Sequence, residues 1–132
     1  MIPAFNEAGY LPPGTHPATL AEIAARFGQE SELRRVQIES LCWLIDLARR
    51  AGVQRIVVNG SFVTDKLEPN DVDCVLLIGP GFPRDVAAES ELLAGIPFIN
   101  MELVDEDAFE QFTQNTFATD RDLIPKGMVE VL

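Results

Sequence analysis

Arg55-Ile56-Val57-Val58-Asn59-Gly60-Ser61-Phe62 and, eleven residues after Gly60, Asp71-Val72-Asp73-Cys74-Val75-Leu76-Leu77-Ile78 decide how this chain folds. The first stretch is an apolar, β-branched run that stops at a Gly-Ser dipeptide. The second opens on two carboxylates and continues as an apolar run. Residues of this kind fit a pleated, half-buried surface, and the order predicts strand, tight turn, loop and strand. Side chains alternate along a strand, so Asp71 and Asp73 are expected on one side, roughly 6–7 Å apart along the backbone.

Two carboxylates at that spacing can hold a divalent cation between them. Hard oxygen ligands suit Mg²⁺ or Mn²⁺, which in turn hold nucleotide phosphates more often than they sit in an all-protein cage. Gly60 lets backbone N–H groups approach a phosphate and Ser61 adds a hydroxyl donor. The expected ligand is a nucleoside triphosphate. A plainer reading has Asp71 capping the turn after Pro69-Asn70 and Asp73 as a solvated strand start.

With Gly60, Ser61, Asp71 and Asp73 in these positions, the chain resembles the nucleotidyltransferase superfamily, in which a Gly-Ser turn is followed by an Asp-x-Asp pair opening the next strand. That match covers about residues 53 to 104. Phe5-Asn6-Glu7-Ala8-Gly9, Leu11-Pro12-Pro13-Gly14-Thr15-His16, Asp120-Arg121-Asp122 and Pro125-Lys126-Gly127 are similar to a small uncharacterised bacterial branch of it. The resemblance implies an α/β (α+β) fold, a small mixed sheet packed by helices. It also implies a third carboxylate on a later strand. Phe98-Ile99-Asn100-Met101-Glu102-Leu103-Val104 is the run able to carry it, and alternation makes Glu102 the candidate, to complete a second metal position or to act as general base. The implied activity is transfer of a nucleotidyl group to a protein or small-molecule hydroxyl, with a toxin–antitoxin or defence setting. The alternative is an inactive, antitoxin-like module that binds a partner on the same fold.

Cations for the phosphates are few. Lys66 is the basic residue between Gly60 and Asp73, Arg84 follows the second strand, and Arg121 and Lys126 would have to fold back.

The chain has 132 residues, 47% of them apolar, enough for one domain over 1–132 with a core of its own. No length remains for a second, helical domain to hold an acceptor, so a protein partner or a second copy is expected. Ten basic against 21 acidic residues give a net charge of −11, which opposes nucleic acid and anionic lipid and favours a basic partner. No run approaches a membrane span and no leader is visible, so a cytoplasmic protein is expected. Cys42, in an apolar helix, and Cys74, in an apolar strand, are expected buried and inert.

Residues 1–18 hold Pro3, Pro12, Pro13 and Pro17, which predicts an extended arm anchored by Phe5, Tyr10 and Leu11, with the lone His16 hydrogen-bonded within it. Thr19 and Glu22 form a capping box for a helix ending at Gly28. Ser31 to Ala51 follows as a long helix, apolar all round at Leu41-Cys42-Trp43-Leu44-Ile45. Asp85 to Leu93 reads as a helix crossing between parallel strands, Phe109 to Phe117 as a short helix, and Met128 to Val131 as an edge strand.

Overall fold

The computed structural model describes residues 2–116 and 119–132. Five strands are present: β1 (Gly14–Ala18), β2 (Arg55–Asn59), β3 (Val72–Leu77), β4 (Ile99–Val104) and β5 (Gly127–Val131). Four α-helices accompany them: α1 (Leu20–Phe27), α2 (Glu32–Ala51), α3 (Val86–Leu93) and α4 (Glu106–Gln111). The strands form one mixed sheet in the order β1-β5-β2-β3-β4, so the expected mixed α/β architecture is the one observed. β2 lies antiparallel to both β5 and β3, whereas β1 pairs parallel to β5 and β4 parallel to β3. The parallel β3–β4 pair is joined through α3, the crossover expected from the sequence.

Local chemistry sets the helix boundaries. Thr19 and Glu22 form the reciprocal capping box at the start of α1, and Gly28 caps its end. Ser31 accepts from the Arg34 N–H to start α2, and Gly52 ends it in the left-handed conformation that glycine adopts at low cost. The helices α1, α2 and α3 cover one sheet face. Leu41, Leu44, Ile45, Leu47 and Ala48 of α2 pack there with Ile56, Val58, Val72, Cys74 and Leu76. Each such large aliphatic side chain contributes about 1.5–3 kcal/mol by leaving water. On the other face a smaller cluster, Val57, Val75, Leu77 and Met128, is covered by Phe109 of α4. That helix is short, so part of the second face stays open, and the carboxylates lie in the open part.

Three expectations are corrected, and the extended arm gains a definite partner: β1 is an edge strand whose five residues pair with β5. β5 is accordingly an inner strand and not an edge. Trp43 is 49% exposed and Cys42 is exposed, so α2 buries a single broad face, while Cys74 is buried as expected. The helix expected over Phe109–Phe117 begins earlier, runs from Glu106 to Gln111, and widens into a π turn at Phe112–Thr116; Phe117 lies outside the described residues. Among the described residues, no helix is long and apolar enough to cross a membrane.

Candidate functional site

The register of the sheet builds the site. Asn59 at the end of β2 pairs with Asp73, and Asp73 pairs on its other side with Asn100 of β4. Paired residues leave a sheet on the same face, so Asn59, Asp73 and Asn100 form a row across three strands, with neighbouring strands roughly 4.8 Å apart. Asp71 stands just ahead of β3. The Asn100 amide donates to Asp71 Oδ2 at 3.2 Å and to Asp73 Oδ1 at 3.3 Å, so one nitrogen gathers both carboxylates.

Gly60 closes the site from below. Its backbone, at φ 81° and ψ −165°, lies in a region essentially reserved for glycine, and a Cβ there would collide with Asp73 Oδ2. The bend and the second carboxylate are therefore in direct contact. Ser61 opens a 3₁₀ turn, Ser61–Val63, whose first N–H groups have no partner within the turn. Gly60, Ser61 and Lys66 line a cleft of about 400 Å³ with Lys126, Tyr10 and Ala8. Arg121 does not line it, and Arg84 is committed elsewhere, donating to the Arg49 carbonyl at the C-terminal end of α2.

A second cleft, about 330 Å³, is lined by Asp73, Asn100, Glu102 and Phe112. Glu102 shares the face of the carboxylate pair but sits opposite Val75, two residues further along β4. The position beside the pair belongs to the Asn100 amide. Among the described residues, no three His, Cys, Asp or Glu side chains gather to hold a metal. A cation here would rest on two carboxylates together with amide, water or phosphate oxygens, a set that suits Mg²⁺.

Burial raises the pKa of the Asp73 carboxyl above the ordinary range, and the charge of Asp71 adds to this. The Asn100 hydrogen bond and the Lys126 charge oppose the shift. Loss of hydration and a like charge thus both act against the ionised form.

The loop between Ser61 and Pro69 is fastened by three polar side chains spaced three apart, one from the cap of α2 and two from its first turns. Ser31 donates to the Leu67 carbonyl and Gln37 to that of Pro69. Between them Arg34, 2% exposed, donates to the carbonyls of Phe27, Ser61, Phe62, Thr64 and Lys66 at 2.5–3.4 Å. The sequence reading missed Arg34, Asn59 and Asn100. The available signal was polarity in apolar company: Arg34 shares a helical stripe with Ile38, Leu41 and Ile45, and Asn59 ends a β-branched strand. From the arm, Asp65 N–H donates to the Gly9 carbonyl, and Tyr10 bridges to Thr64 and donates to Asp120 at 2.8 Å. His16 takes the structural role expected of it, hydrogen-bonded to the Pro12 carbonyl at 2.7 Å.

Fold and site together define a small mixed α/β domain in which a glycine–serine bend is pressed against paired carboxylates on the neighbouring strand. The chain matches the family of unknown function DUF6932 over residues 3–132 and belongs to it. No curated protein and no solved structure matches it.

Proposed function

We propose that this protein is a nucleotidyltransferase-like domain that binds Mg²⁺ or Mn²⁺ together with a nucleoside triphosphate. The observation that carries the reading is the meeting of Asp71 and Asp73 on one amide, with Asp73 also against the Gly60 bend. Two facing carboxylates repel unless a cation or a donor sits between them. The cleft on the Gly60 side offers Ser61, Lys66 and Lys126 to the phosphates, and the cleft on the Asn100 side offers Glu102 to an acceptor.

When bound, the cation offsets the charge of the triphosphate and of the oxygens entering and leaving phosphorus. The residues of the chain supply the rest. Gly60 and Ser61 hold the leaving pyrophosphate while Lys66 and Lys126 balance its charge. An acceptor hydroxyl attacks the α-phosphorus, a new P–O bond forms, the bond to pyrophosphate breaks, and the hydroxyl proton passes to the Glu102 carboxylate. The acidic surface favours a basic protein or a small molecule as acceptor over nucleic acid, and the proposed setting is cytoplasmic, in a toxin–antitoxin or defence pair.

One observation favours a second reading, a partner-binding module with little turnover. An amide stands beside the aspartate pair where a third carboxylate would complete a two-cation centre.

Labelled nucleoside triphosphates with Mg²⁺ or Mn²⁺ test the reading. Wild type is expected to bind them in a metal-dependent manner, and Asp71→Asn and Asp73→Asn to lose that binding by 10-fold or more, on the order of 1.4 kcal/mol. Glu102→Gln should retain binding and lose transfer. Absence of metal-dependent triphosphate binding in wild type overturns the proposal; binding without transfer in wild type selects the module.

A further inference from the structure

Asn59 is 2% exposed, and among the described residues its Oδ1 has no hydrogen-bond partner. A buried acceptor left unpaired costs about 1–3 kcal/mol, so a side chain retained at that cost points to something that uses it. Its surroundings narrow the possibilities. Asn59 pairs directly with Asp73 in the β2–β3 register and leaves the sheet on the same face. Asp73, when ionised, can only accept. Asn100 Nδ2, on the far side of Asp73, donates to Asp71 and Asp73. Asn59 Oδ1 and the Asp73 carboxylate, both acceptors, therefore stand on neighbouring strands of one sheet face beside Asp71, an acceptor-rich arrangement that a cation would complete. The sequence carries the same mark, since Asn ends the β-branched run Ile56-Val57-Val58, a setting in which it is disfavoured.

We infer that Asn59 Oδ1 is a third protein oxygen for the divalent cation, reaching it either directly or through one of its water molecules. The inference rests on the cation reading above and adds to it a residue from the strand that carries the Gly-Ser bend. Asn59, Asp71 and Asp73 would tie β2 to β3 through the ion, so that loading the cation also fixes the bend that receives the phosphates.

The experiment is calorimetric titration of the purified protein with Mn²⁺ alone, together with thermal denaturation in EDTA, for wild type, Asn59→Leu, Asn59→Ala and Asp73→Asn. Asn59→Leu is expected to weaken Mn²⁺ binding at least 10-fold while raising the melting temperature of the metal-free protein, since the apolar side chain removes the unpaired acceptor. Should the leucine variant fail to fold, Asn59→Ala must show the same loss of Mn²⁺ affinity. Unchanged Mn²⁺ affinity in the folded Asn59 variants, with affinity lost in Asp73→Asn, overturns the inference and leaves the cation reading standing. Failure of wild type to bind Mn²⁺ overturns both.

Discussion

Arg34 carries a guanidinium into the interior, and among the described residues no carboxylate lies within ion-pair distance of it. Burial lowers its pKa, while the fields of Glu30 and Asp65 oppose the shift. Five backbone carbonyls replace the lost water, four of them from the loop that links the Gly-Ser bend to the aspartate pair. Removing the guanidinium would leave those carbonyls facing an apolar side chain, and each unpaired buried group costs about 1–3 kcal/mol. Arg34→Met is therefore expected to destabilise the fold by roughly 3 kcal/mol or more, measured by urea denaturation, and to weaken the proposed metal-dependent nucleotide binding even where the protein remains folded. Arg34→Lys should rescue little, because an ammonium cannot span five acceptors. Asp71, Asp73, Gly60 and Ser61 were legible in the sequence because order and strand alternation suffice to bring them together. Asn100 was not: alternation put Asn100 and Glu102 on one face, and only the β3–β4 register decides which of them meets the aspartates.

Helices and caps were legible because their signals are local. The capping box, Ser31 and Gly52 each act within one turn of the residue they cap. β1 was not legible, because four prolines argue against a strand and its partner lies more than 100 residues away. As an edge strand it tolerates Pro17, which has no N–H to give to a ladder. The same arm reaches the site through Tyr10, and the hydrogen bond to Asp120 has a measurable signature. That contact is the largest cause raising the Tyr10 pKa above its ordinary value of 10.0. Backbone N–H groups of Ile124 and then the Tyr10 hydroxyl lower that of Asp120. The raised phenol contributes stability below the unfolded tyrosine value and loses it as pH rises through the folded one. The lowered carboxyl contributes above the unfolded aspartate value and loses it as pH falls through the folded one. Tyr10 is the sole tyrosine, so ultraviolet titration reads it without interference. The midpoint is expected above 10.0 in wild type and nearer to it in Asp120→Ala.

The chain carries twenty-one acidic side chains against ten basic ones, and the key groups of the candidate site are acidic as well. Self-repulsion at this charge opposes compaction and is screened over about 10 Å at 0.1 M salt. The melting temperature should therefore rise from very low salt to about 0.15 M NaCl, and Mg²⁺ should raise it further than an equal ionic strength of NaCl. A fall, or equal effects of the two salts, would contradict the electrostatic account. The arrangement of the strands has a temporal consequence as well. β5 follows every other strand in the chain yet occupies the slot between β1 and β2, and Lys126 stands just before it. On a ribosome, the first strand would emerge with nothing to hold it and β2 would keep a bare edge until the 127–131 segment cleared. Lys126, which lines the cleft beside Gly60 and Ser61, would arrive at nearly the same moment, so a polypeptide interrupted before that point is expected to be both open to aggregation and unable to assemble the candidate site.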